Sequence, residues 1–106
     1  MASMPGTWLD RRRAQAVAGA QDAARLLGEL GVKVVVTGSL ARGEFRPYSD
    51  VDLVVTACPR HLKYAIEGMV EEALRGLPFD VVYLDELPPR KVAEFMKAAV
   101  DASELS

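Results

Sequence analysis

The chain has 106 residues, half of them hydrophobic and 26% charged, with a net charge of −2 and a single cysteine. That length suits one domain with a genuine hydrophobic core, yet it is small for an enzyme that must grip two substrates. The near-neutral charge removes any global drive toward nucleic acid or anionic membrane. One cysteine excludes an internal disulfide framework, and the absence of a membrane-length apolar run or signal-peptide core sets a cytoplasmic expectation.

Residues 1–6, with Pro5 and Gly6, read as a loose tail, and residues 7–106 as a single domain. A helix is expected from about Thr7, its N-cap, with Val17, Ala20, Ala24 and Leu27 on the buried face and Gly31 placed to stop it. Arg11, Arg12 and Arg13 read as a solvated helix face, because three arginines make a weak nucleic-acid patch. Val32 to Val36 is a β-branched strand that runs straight into Gly38. Leu40 to Glu44 suits one or two helical turns, and Arg46-Pro47-Tyr48-Ser49 a loop, since Pro47 removes a donor and constrains Arg46.

Val51 to Thr56 reads as a second strand, closed by Pro59. A helix from Arg60 to Leu74 places Leu62, Ile66, Met69 and Ala73 on one face, and Gly76 with Pro78 ends it. Phe79 to Leu84 is a third strand. Pro88 and Pro89 suit the start of a final helix whose Val92, Phe95, Met96 and Ala99 are expected to face inward. The link from Val36 to Val51 is too short for a crossover helix, so the first two strands are expected to be antiparallel neighbours in a mixed sheet.

Chemistry concentrates where the first strand meets the second. The run Thr37-Gly38-Ser39-Leu40-Ala41-Arg42-Gly43 is followed by Ser49-Asp50-Val51-Asp52-Leu53. Side chains alternate along a strand, so Asp50 and Asp52 fall on one side, about 7 Å apart at roughly 3.3 Å per residue. Like charges held that close resist burial unless a cation sits between them. Carboxylate oxygens without Cys or His alongside suit Mg²⁺. Gly38 leaves room for a turn and close ligand approach. Ser39 offers a hydroxyl and an N–H to an anion, at the start of a helical turn whose dipole helps. The stretch therefore reads as triphosphate on one side and metal on the other.

Gly38-Ser39-Leu40-Ala41-Arg42-Gly43, a six-residue spacer and Asp50-Val51-Asp52-Leu53 resemble the signature of the DNA polymerase beta-like nucleotidyltransferase superfamily, and in compactness the minimal nucleotidyltransferases, or MNT proteins. The resemblance covers roughly residues 30 to 85. It implies an α/β fold, with a small mixed sheet of about three to four strands flanked by helices. It also implies a third acid on a later strand, matched by Asp80, and two Mg²⁺ ions held by Asp50, Asp52 and Asp80. ATP or another nucleoside triphosphate would be the donor, its phosphates held by Gly38, Ser39 and, ranked lower, Arg42.

Minimal nucleotidyltransferases of this kind commonly act as the antitoxin partner of a HEPN-domain ribonuclease toxin, moving AMP from ATP onto a toxin tyrosine. The small size fits an acceptor site completed by a partner, in a hetero-oligomer or homo-oligomer, without direct nucleic-acid binding. Two other readings stand beside it: a non-catalytic module that neutralises a partner by masking, and a transferase acting on a small molecule of the antibiotic type. Among single residues, His61 reads as a surface or packing group and Cys58 as a small apolar one. Arg46 and Tyr48 either touch base or acceptor or pack the loop.

Overall fold

The computed structural model describes residues 4–46 and 48–105. The first helix, α1, spans Met4–Glu29. It therefore starts within the stretch expected as a tail, and Thr7 lies inside the helix rather than at its cap; residues 1–3 lie outside the described residues. Ala16, Ala20, Ala23 and Leu27 form its buried stripe, with Val17 and Ala24 half-buried beside it. Arg11 is exposed, while Arg12 and Arg13 are half-buried, so the solvated reading holds only at the first of the three. Gly31 ends the helix with φ of 86°. Its N–H donates to Gly28 O at 3.1 Å and Val32 N–H to Leu27 O at 2.9 Å, the paired bonds of a Schellman cap that need a left-handed residue there.

Strand β1 (Lys33–Thr37) leads into a five-residue helix, α2 (Gly38–Arg42), and then to β2 (Val51–Ala57). A 3₁₀ segment, Arg60–Ala65, precedes α3 (Ile66–Leu74), so the helix expected from Arg60 is α-helical only in its second half. Strand β3 (Phe79–Tyr83), a short 3₁₀ turn, α4 (Pro89–Lys97) and a 3₁₀ turn at Ala102–Glu104 complete the order. The three strands form one sheet, β1-β2-β3, with β1 antiparallel and β3 parallel to β2. This is a mixed three-stranded α/β arrangement, as expected.

Strand parity divides the sheet into two unlike faces. Val36 lies opposite Leu53, which lies opposite Val81. With Val34, Val51 and Val55 this face packs into the main core under α1 and α3. The second face carries two rows, Val35–Val54–Val82 and Thr37–Asp52–Asp80. Beyond β3 the chain returns to the outer edge of β1, where Val36 and Val100 exchange backbone hydrogen bonds of 2.8 Å in both directions. Residues 84–99 thus cross the second face from β3 to β1.

Helix α4 does not do what its apolar pattern suggests. None of its side chains is fully buried: Val92 and Phe95 are half-buried, and Met96 is exposed. The physical reason is occupancy. Helices α1 and α3 already cover the core face, so α4 is left to the face that carries carboxylates, over which it packs only in part.

The α1–α3 contact generates a stability test. A Cβ at Gly19 would lie 2.6 Å from Leu74 Cδ2 and 3.3 Å from Ala73 O, both in the tight helix crossing. Gly19→Val is expected to cost about 1–3 kcal/mol by overpacking. In thermal unfolding that is a Tm lowered by roughly 5–20 °C; an unchanged Tm would show that the helices slide apart freely.

Candidate active site

The site begins where β1 ends. Gly38 turns the chain with φ of 73°, and a Cβ there would overlap the Asp52 carboxylate outright, so the backbone can sit against that acid only as glycine. Leu40, buried, anchors α2 in the core, and Gly43 closes it with φ of 76°. Glu44 N–H then donates to Ser39 O at 2.8 Å. Arg46 N–H donates to Ser49 Oγ at 2.9 Å and Ser49 N–H to Arg46 O at 3.0 Å, which pins the loop ahead of β2. Pro47 lies outside the described residues; Tyr48 projects into solvent, 95% exposed.

The register of β2 and β3 puts Asp52 and Asp80 opposite each other on the second face, with Thr37 across from Asp52 on the other side. These residues floor a groove of about 330 Å³. Gly38 and Arg42 line it from α2, Glu94 and Phe95 from α4, and Ala98 from the turn that caps α4. Arg42 is held at the rim by Glu44, Nε to Oε1 at 3.0 Å. A larger hollow of about 810 Å³ lies between α1, β1 and residues 101–103, but its one carboxylate, Asp101, already accepts from Ser103 N–H and Oγ–H. The smaller groove holds the chemistry.

Of the residues singled out in the sequence, Gly38, Arg42, Asp52 and Asp80 come together in this groove. Asp50 stands one residue ahead of β2, exposed and outside the lining, although its charge reaches Asp52. Ser39 is half-buried next to Gly38 but does not line the groove. Cys58 and His61 follow the opposite end of β2, so only oxygen donors stand by the acids. Thr37, Val82, Glu94, Phe95 and Ala98 were not anticipated as lining. Helical spacing assigns Phe95 to the core; the signal that points to its place here is the need to cover the acid-bearing face of a three-stranded sheet.

A nucleotidyltransferase domain model matches residues 20–102. The chain belongs to that family. A solved structure provisionally described as a minimal nucleotidyltransferase is similar to this domain with a TM-score of 0.63 and 29% identity, over 76% of this chain and 86% of the other. No curated protein sequence matches significantly. This nucleotidyltransferase domain has, among its described residues, no helix long and apolar enough to cross a membrane.

Family membership implies a nucleoside triphosphate substrate and typically a divalent metal, so the donor set has to be tested against one. Burial raises the proton affinity of Asp52, and the negative charges of Asp80 and then Asp50 raise it further, with Arg42 opposing. That is the condition a cation relieves. Among the described residues no three acidic, His or Cys side chains form a ready cation cage. Magnesium seldom needs one: it commonly takes one or two carboxylates, keeps water and draws its remaining ligands from substrate phosphates. Asp52 and Asp80 fit that pattern.

Two outcomes follow for the metal-free domain. Because the folded-state pKa of Asp52 is raised, its ionised form opposes folding above that pKa, and the penalty vanishes below the ordinary value of 3.8. Asp52→Asn should therefore raise the Tm at pH 7, by about 2–6 °C for a screened effect of roughly 0.5–1 kcal/mol. The advantage should shrink on acidification and disappear below that value; a variant less stable at neutral pH would contradict it. Gly38→Ala, by contrast, should lower the Tm by several degrees at every pH, because it adds both a clash and a strained φ.

Proposed function

We propose that this domain is a magnesium-dependent protein nucleotidyltransferase that moves AMP from ATP onto a tyrosine hydroxyl of a partner HEPN ribonuclease toxin, and so acts as its antitoxin. The observation that carries the reading is the Asp52–Asp80 pair on the open sheet face, with the Gly38 backbone packed against Asp52. Family membership supports nucleotide chemistry. The acceptor side is argued from architecture: the described residues form one compact unit, and the groove is open to a partner.

In this reaction the acceptor oxygen bonds to the α-phosphorus, the bond to the bridging oxygen of pyrophosphate breaks, and the hydroxyl proton passes to a carboxylate. Little covalent work falls to the protein, so positioning and charge compensation set the rate. Asp52 and Asp80, with Asp50 closing in from the strand start, would hold magnesium. When bound with the nucleotide it neutralises the charge that develops on the phosphates. Asp80, exposed on the groove floor, would orient the acceptor hydroxyl and receive its proton. Gly38 and Arg42, with the Ser39 hydroxyl turning in from α2, would hold the outer phosphates.

The reading is tested by intact mass of a co-expressed or neighbouring-gene partner after incubation with the domain, Mg²⁺ and each nucleoside triphosphate in turn. We expect a gain of one or more AMP units with ATP, lost in Asp52→Asn by about a hundredfold or more in rate. A stable, neutralised complex without any mass gain would replace catalysis by masking. A gain only on a small-molecule hydroxyl would replace the protein acceptor.

A further inference from the structure

We infer that the α4 wall of the groove, with Phe95 at its centre, receives the acceptor and selects an aromatic hydroxyl over an aliphatic one. This rests on the nucleotidyl-transfer reading and assigns that site's second substrate to particular side chains. The two walls differ in character. The α2 wall supplies Gly38, whose backbone is bare, and Arg42, the one cation among the described lining residues. The α4 wall supplies Glu94, Phe95 and Ala98, and Val82 lies on the floor beside Asp80. A polyphosphate is attracted to the first wall and repelled by the Glu94 carboxylate on the second.

In-line displacement then fixes the acceptor's side. Attacking and leaving oxygens lie roughly opposite each other across the α-phosphorus. With pyrophosphate leaving toward Gly38 and Arg42, the hydroxyl approaches from α4. There it meets an apolar surface ending in a carboxylate: Val82 follows Asp80 by two residues on the same face, about 7 Å along the strand. A phenol has an apolar body with a polar tip, so a ring laid on Val82 against Phe95 carries its oxygen to Asp80. A serine or threonine hydroxyl has no ring to bury there. Phe95 is left half-buried where α4 lies over the second face, so part of its ring remains free to meet the acceptor's.

The test uses the full chain, isotope-labelled for NMR, with Mg²⁺ and a non-hydrolysable ATP analogue. N-acetyl-tyrosinamide is titrated against N-acetyl-serinamide. Saturable shifts at Val82, Phe95 and Ala98 with tyrosinamide and none with serinamide are expected. Phe95→Ala should weaken tyrosinamide about tenfold while leaving analogue affinity within about twofold. Ala98→Trp, in the exposed turn that follows α4, should block tyrosinamide by filling the groove and guards against a folding defect in the first variant. Tyrosinamide shifts confined to Gly38–Arg42, equal response to serinamide, or loss of analogue affinity in Phe95→Ala would overturn the assignment, the last by giving Phe95 to the nucleobase. A wild-type chain that binds no analogue would instead bring down the nucleotidyl-transfer reading.

Discussion

The structure turns on one close approach, the Gly38 backbone against the Asp52 carboxylate. An acid on a sheet face next to two others is a poor element of any core, and burial makes its ionised form costlier still. The chain tolerates it because the residue that follows β1 has no side chain and takes a φ that only glycine adopts freely. A side chain at position 38 would push the Asp52 carboxylate aside. The turn, the short α2 helix and the anchoring of Leu40 are consequences of keeping that contact.

The mixed topology serves the same end. Antiparallel pairing of β1 with β2 brings Thr37 and the turn after it across from Asp52, and parallel pairing of β2 with β3 brings Asp80 to the other side. One row of the second face thus collects contributions from all three strands. A slip of one residue in either pairing would send the acids into the core beneath α1 and α3, at a cost no small domain could absorb. Val34, Val36, Val51, Leu53 and Val55 therefore specify the register, and the register places the site.

Much of this was readable from residues whose constraint is local. Gly31 at the end of α1 and the β-branched run before Gly38 needed only local reasoning, and so did the short link that forces antiparallel pairing. The spacing of Asp50 and Asp52 is local in the same way, whereas Asp80 is singled out only by the resemblance to a family that carries a third acid on a later strand. What was not readable depended on competition for space. Phe95 and Met96 carry the helical spacing of core residues, yet α1 and α3 had already taken the core face, and periodicity cannot say which face of a sheet a helix will find. Asp50 shows the same limit: alternation puts it beside Asp52, but β2 starts only at Val51, so the acid stands in the exposed residue ahead of the strand, close enough for its charge to be felt at Asp52.

Helix α4 carries the remaining tension in the fold. The three-stranded sheet buries Val54 fully but Val35 and Val82 only in part, and a fully packed helix there would bury all three while closing over Asp52 and Asp80. A helix absent altogether would leave that valine row in water. The observed compromise pins the segment at both ends, through β3 and through the Val36–Val100 bridge, and leaves the middle half-buried above the groove. Two attachments fix where α4 lies without requiring its side chains to fill a core. The apolar surface that results is not consumed by folding, and on the nucleotidyl-transfer reading it is what lets so short a chain hold both a stable core and a groove with room for a second reactant.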